Sequence, residues 1–94
     1  MKTFSEVAHL IRSNCTNAEQ LALFAFGSRM NGCIGEDYDI LLIEDDFSTI
    51  DQFRDNLLES TRNLPIHLTV LTHSEVIETG FLEKCRAVSF SSLV

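Results

Sequence analysis

The sequence predicts an α/β fold of the α+β kind, a small mixed sheet of three to four strands with helices packed on it. Two observations carry this expectation. Short apolar runs at residues 20–26, 38–43 and 66–71 alternate with segments whose apolar residues recur at helical spacing. Capping-box spacing at Thr3-Phe4-Ser5-Glu6 and again at Thr72-His73-Ser74-Glu75 marks two helix starts. Helices alternating with short strands imply a sheet covered by helices. At 94 residues there is room for one domain, taken as 1–94, with no repeat or linker.

The first helix carries Phe4, Val7, Ala8 and Ile11 on one face, and Ser13-Asn14 and Asn17 mark its end. Residues 20–26 are nearly continuous in apolar character, as a buried strand is. Residues 27–36 hold three of the four glycines and read as a loop, with room for one helical turn after Ser28. Residues 38–43 form a second buried strand, ended by Glu44-Asp45-Asp46. A helix is expected over about 49–62, capped by Ser48 or Thr49, with Ile50, Phe53, Leu57 and Leu58 turned inward. Pro65 breaks the chain. Ile66, Leu68 and Val70 then alternate with His67, Thr69 and Leu71 along a third strand. The last helix runs from the second capping box to about Cys85, weakened by Gly80, and Ala87–Phe90 reads as a closing edge strand.

A net charge of −7 argues against a general nucleic-acid coat, which needs many Lys and Arg. It suits a divalent-cation site, a basic partner or plain solubility. No stretch approaches the length of a membrane span, and Met1–Glu6 lacks the apolar run of a signal peptide, so the expected location is the cytoplasm. Cys15, Cys33 and Cys85 are odd in number and widely spaced, which fits reduced thiols rather than a disulfide framework or a structural zinc.

The residues that carry chemistry follow the first strand. Gly27-Ser28-Arg29 is a small-residue turn whose backbone N–H groups can meet phosphate oxygens. Asp37-Tyr38-Asp39 then opens the second strand, and two carboxylates at i and i+2 of an extended segment point to one face. Hard cations such as Mg²⁺ prefer carboxylate oxygen and are commonly held by one or two carboxylates plus substrate phosphates. Gly27 allows close backbone approach to a triphosphate, Ser28 adds a hydroxyl, and Arg29 is either a phosphate contact or a surface charge. The bland alternatives are a plain turn at Gly27-Ser28 and a capped strand end at Asp37. Tyr38 faces away from the acids and reads as packing, Asp45 and Asp46 as a polar strand end, and His9 and His73 as surface or capping residues.

Gly27-Ser28-Arg29-Met30-Asn31-Gly32 followed by Asp37-Tyr38-Asp39-Ile40-Leu41-Leu42-Ile43 resembles the signature of the nucleotidyltransferase superfamily related to DNA polymerase beta. The similarity is greatest to its minimal members, short proteins often paired with a helical partner in toxin–antitoxin modules. The order of elements matches over nearly the whole chain. The resemblance implies a nucleotidyltransferase fold and a substrate NTP, with ATP the first candidate. It implies Mg²⁺, or Mn²⁺ in its place, held by Asp37 and Asp39. It also implies transfer of a nucleoside monophosphate to a hydroxyl, a tyrosine or serine of a helical toxin-type partner.

Active members of that family carry a third carboxylate on the next strand. Here the matching position is His67, and no Asp or Glu stands between Glu59 and Glu75. Neutral imidazole suits Zn²⁺, Ni²⁺ or Mn²⁺ better than Mg²⁺, and its loss of one negative charge weakens a site for two cations. His67 is thus a general base, a metal ligand, or a polar strand residue bonded to Asp37 or Asp39. Three functions remain open: an antitoxin-like nucleotidyltransferase with Asp37, Asp39 and His67 as its catalytic residues; a catalytically impaired module that binds nucleotide or partner; and a domain without a ligand. Recognition of the acceptor is expected to come from a partner chain, and exposed edge strands permit a homodimer.

Overall fold

A computed structural model describes residues 3–15, 17–27 and 37–93 of the chain. Helix α1 (Phe4–Asn14) starts at the expected capping box: the Thr3 hydroxyl accepts from the Glu6 N–H, and the Glu6 carboxylate accepts from the Thr3 N–H. A 3₁₀ turn (Ala18–Gln20) leads into β1 (Ala22–Phe26), and β2 covers Tyr38–Ile43. Helix α2 (Phe47–Ser60) is followed by β3 (Ile66–Leu71), the short helices α3 (His73–Thr79) and α4 (Phe81–Lys84), and β4 (Val88–Ser89). A final 3₁₀ turn covers Phe90–Ser92.

The four strands form one mixed sheet in the order β3-β2-β1-β4. β1 is antiparallel to β2 and to β4, whereas β2 and β3 run parallel with α2 as their crossover. This arrangement bears out the small mixed sheet covered by helices. Alternation along each strand divides the sheet into two faces. Leu23, Ala25, Tyr38, Ile40 and Leu42 face the main core, where Phe4, Val7, Ala8 and Ile11 of α1 meet Ile50, Phe53 and Leu57 of α2. Tyr38 is buried there as expected, its ring meeting Phe4 edge-on at 5.3 Å. Cys15 is a buried free thiol, pushed up from its ordinary value by burial and drawn back only in part by the Ser60 hydroxyl 3.9 Å away.

Three expectations at element ends are corrected. Helix α2 begins at Phe47, because Asp46 and not Ser48 or Thr49 is its cap. The Asp46 carboxylate accepts from the Thr49 N–H at 2.9 Å and from both hydroxyls, so the expected caps serve as donors to the real one. The helix stops at Ser60 rather than 62, since Thr61 turns its hydroxyl onto the Leu57 carbonyl and Pro65 disfavours helical geometry just ahead of it. That phase leaves Leu58 exposed, not in the core. The last helix divides at Gly80, which takes left-handed geometry (φ +62°) and ends α3 by donating its N–H to the Val76 carbonyl.

Candidate functional site

The second face of the sheet gathers the residues that the sequence singled out. Parallel pairing sets Asp39 of β2 directly beside His67 of β3, and antiparallel pairing sets Phe26 of β1 on the other side of Asp39. Phe26, Asp39 and His67 therefore form one row across three strands. The Asp39 Oδ1 lies 3.1 Å from the His67 Nδ1. An ionised carboxylate can only accept, so Nδ1 carries the proton in this bond. The imidazole is well exposed (63%), while the carboxylate is 25% exposed.

Gly27, the residue after β1, holds the other side of this carboxylate. Its φ is +85°, and a Cβ built there would land on the Asp39 Oδ2, with the Asp39 Cγ at 3.0 Å. Only glycine allows the backbone to lie this close to the acid. The Asp39 carboxylate is thus wedged between a glycine backbone and an imidazole. Asp37, just ahead of β2, is exposed. It shares the parity of Asp39, opposite to the buried Tyr38. Among the described residues no three His, Cys, Asp or Glu side chains converge as a ready-made metal cage, so Asp37, Asp39 and His67 are not one closed ligand set. Ser28 and Arg29 lie outside the described residues, as do Cys33 and the helical turn expected after Ser28.

A second Asp–His pair stands six residues further along the chain, just beyond the ends of β2 and β3. The partners in each pair are 28 residues apart in sequence, the constant offset of the β2–β3 register. Asp45 accepts from the His73 backbone N–H at 3.0 Å through Oδ1, and its Oδ2 lies 3.0 Å from the His73 Nδ1. The backbone bond, then the ring bond, hold the Asp45 carboxyl below its ordinary value of 3.8. Both oxygens of Asp45 are engaged in tying the start of α3 to the end of β2, which makes this pair a structural clasp; His73 is an exposed residue at the first position of α3, and Thr72 is the cap. Among the described residues Asp39 engages one oxygen in a hydrogen bond and has Oδ2 against a glycine. That difference separates the two pairs.

Two aromatic residues beside the acid were not foreseen as part of the site. Phe26 read as one more apolar residue of a buried strand, yet its pairing with Asp39 puts it on the acid's face, where Phe81 of α4 meets it edge-on at 5.1 Å. The alternation of β1 carried the signal for Phe26: Leu23 and Ala25 face the core, so Phe24 and Phe26 cannot. Nothing in local spacing marks Phe81. The chain matches no protein-family model, and no curated protein sequence is significantly similar to it.

Proposed function

We propose that the protein binds a nucleoside triphosphate with a divalent cation at the Gly27–Asp39 corner and transfers its nucleotidyl group to an acceptor, as a minimal nucleotidyltransferase. One observation carries the reading: the backbone of Gly27 lies so close to the Asp39 carboxylate that any side chain there would fill the space. A triphosphate held along a glycine backbone and a cation held by a carboxylate need that closeness. The donor set fits Mg²⁺ or Mn²⁺, with Asp39 and the neighbouring Asp37 supplying carboxylate oxygen and the phosphates completing the shell. When bound, the cation supplies charge neutralisation along the triphosphate.

The chain's own residues divide the remaining work. Gly27 lets backbone N–H groups approach the β- and γ-phosphates. Asp39 aims His67 through its Oδ1 and leaves Oδ2 for the cation side. His67 presents a basic nitrogen on the side where an acceptor arrives. ATP is the first substrate to try, and the acceptor proposed is a hydroxyl on a helical partner protein in the cytoplasm, an antitoxin-like role. Pyrophosphate release from labelled ATP with Mg²⁺ or Mn²⁺ is the direct measurement. Asp39→Asn is expected to reduce it at least about 100-fold, the upper range for losing even an outer-shell partner of a metal site. Absence of both ATP binding and turnover in the unaltered chain, with partner present, overturns the reading.

A second reading, nucleotide or partner binding without transfer, is favoured by the His67–Asp39 bond, which occupies an oxygen at the carboxylate and has an imidazole where a third acid would stand. His67→Asp separates the two. New or faster transfer in that variant means that the chain as it stands is a binding module lacking one acid, whereas slower transfer means that the imidazole takes part in the chemistry.

A further inference from the structure

We infer that His67 is itself the first acceptor, taking the nucleotidyl group on Nε2 and passing it on in a second step. The inference rests on the metal–nucleotide reading of the site and specifies its route. A nucleophilic imidazole needs its far nitrogen protonated and tethered, its near nitrogen open, and a phosphate site beside it. The Asp39 Oδ1 at 3.1 Å from Nδ1 meets the first need, because an acceptor-only carboxylate holds a proton there, so that the tautomer it selects carries its lone pair on Nε2. The second is met by the exposure of the ring, whose Nε2 has no partner among the described residues. The third follows from the order across the sheet: Gly27, Asp39 and His67 come from adjacent strands, so a triphosphate with its β- and γ-groups at Gly27 would extend past Asp39 toward the exposed ring.

The same replacement that removes a carboxylate at this position makes the route sensible. No Asp or Glu stands between Glu59 and Glu75, so the imidazole of His67 is the group that β3 brings to the row in place of a carboxylate. Neutral imidazole attacks through a lone pair it already has. His73, the other histidine bonded to an aspartate, does not share this competence. It lies on the clasp beyond the far ends of β2 and β3, whose four remaining residues past Asp39 and His67 span about 13 Å. Its aspartate has both oxygens committed.

In the first step the Nε2 lone pair forms a bond to the α-phosphorus, and the bond from that phosphorus to the bridging oxygen breaks. Pyrophosphate leaves with the electron pair. The ring, now positive with its proton still on Nδ1, is paired with the Asp39 carboxylate. In the second step an acceptor hydroxyl attacks the phosphorus and gives its proton to water. The N–P bond breaks, and its electron pair returns to Nε2.

The test requires no partner protein. The chain is incubated with Mg²⁺ and ATP labelled at the α-phosphate, quenched, and examined by intact mass and by the stability of the retained label. The expected result is one adenylyl group per chain, released by brief acid and stable to base, as a phosphoramidate is. His67→Gln, shown to be folded by circular dichroism, is expected to lose the acid-labile label. His67→Gly with added imidazole is expected to form free adenylyl-imidazole. ATP binding by calorimetry without an acid-labile label, or label in an acid-stable ester, overturns the histidine route and leaves the nucleotide reading standing. A His67→Gln chain that keeps the acid-labile label also overturns it. No ATP binding in the unaltered chain overturns both.

Discussion

Asp39 serves two neighbours with one carboxylate, and Gly27 is the neighbour that no other residue can replace. The chain offers an internal comparison, since Gly80 also has positive φ but meets only the Lys84 Cε at 3.9 Å. Alanine at either position suffers the left-handed backbone, a cost of about 1–2 kcal/mol. At Gly27 the new Cβ must also push the Asp39 carboxylate aside, which disturbs its bond to His67. Urea denaturation is therefore expected to show a loss of stability in both Gly27→Ala and Gly80→Ala, with Gly27→Ala the more affected. Calorimetry with ATP and Mg²⁺ is expected to show lost affinity in Gly27→Ala alone. Equal affinity loss in both variants would detach the glycine from the site.

At the scale of elements, helix starts were the most legible feature and strand partners the least. A capping box is local: Thr3 and Glu6, or Thr72 and Glu75, find each other within one turn, so both starts could be read from spacing. The start of α2 was misread because Asp46, Ser48 and Thr49 all favour caps, and only the folded geometry shows the two hydroxyls donating to Asp46. Alternation along β3 correctly put His67 and Thr69 on one face, and β3 as the next strand made His67 the neighbour of the acids. The antiparallel β4 at the edge of β1, and with it the packing of Phe81 on Phe26, depends on contacts remote in sequence that no local pattern encodes. The starts of α2 and α3 also carry a pH signature. Asp46 is held below its ordinary value of 3.8 by the Thr49 hydroxyl, the Thr49 N–H and the Ser48 hydroxyl, and Asp45 by His73. Carboxyls lowered in the folded chain contribute stability that is fully present above the ordinary value and lost as pH falls through the lowered one. Thermal melts between about pH 6 and pH 3 are expected to show that loss below the ordinary range, and Asp45→Ala/Asp46→Ala is expected to flatten it. An unchanged profile in the double variant would assign the acid sensitivity elsewhere.

Across the whole molecule the site spans strands of unequal protection. β2 is paired on both sides and lies almost wholly inside, with Ile40, Leu41 and Leu42 fully buried, whereas β3 is an edge strand whose residues are all partly or well exposed. No helix among the described residues is long and apolar enough to cross a membrane. Amide hydrogen exchange is expected to be slowest in residues 39–43 of β2, which open only with the whole fold, and faster in β3, whose outer edge can open locally. Equal protection in both strands would mean that something covers the β3 edge in solution. On that expectation the acid and the imidazole of one dyad would keep different time, with Asp39 on the strand that opens last and His67 on an edge strand that opens locally. A partner that adds a strand or a helix along β3 would slow the imidazole without touching the acid, and so could set the pace of the site from its rim.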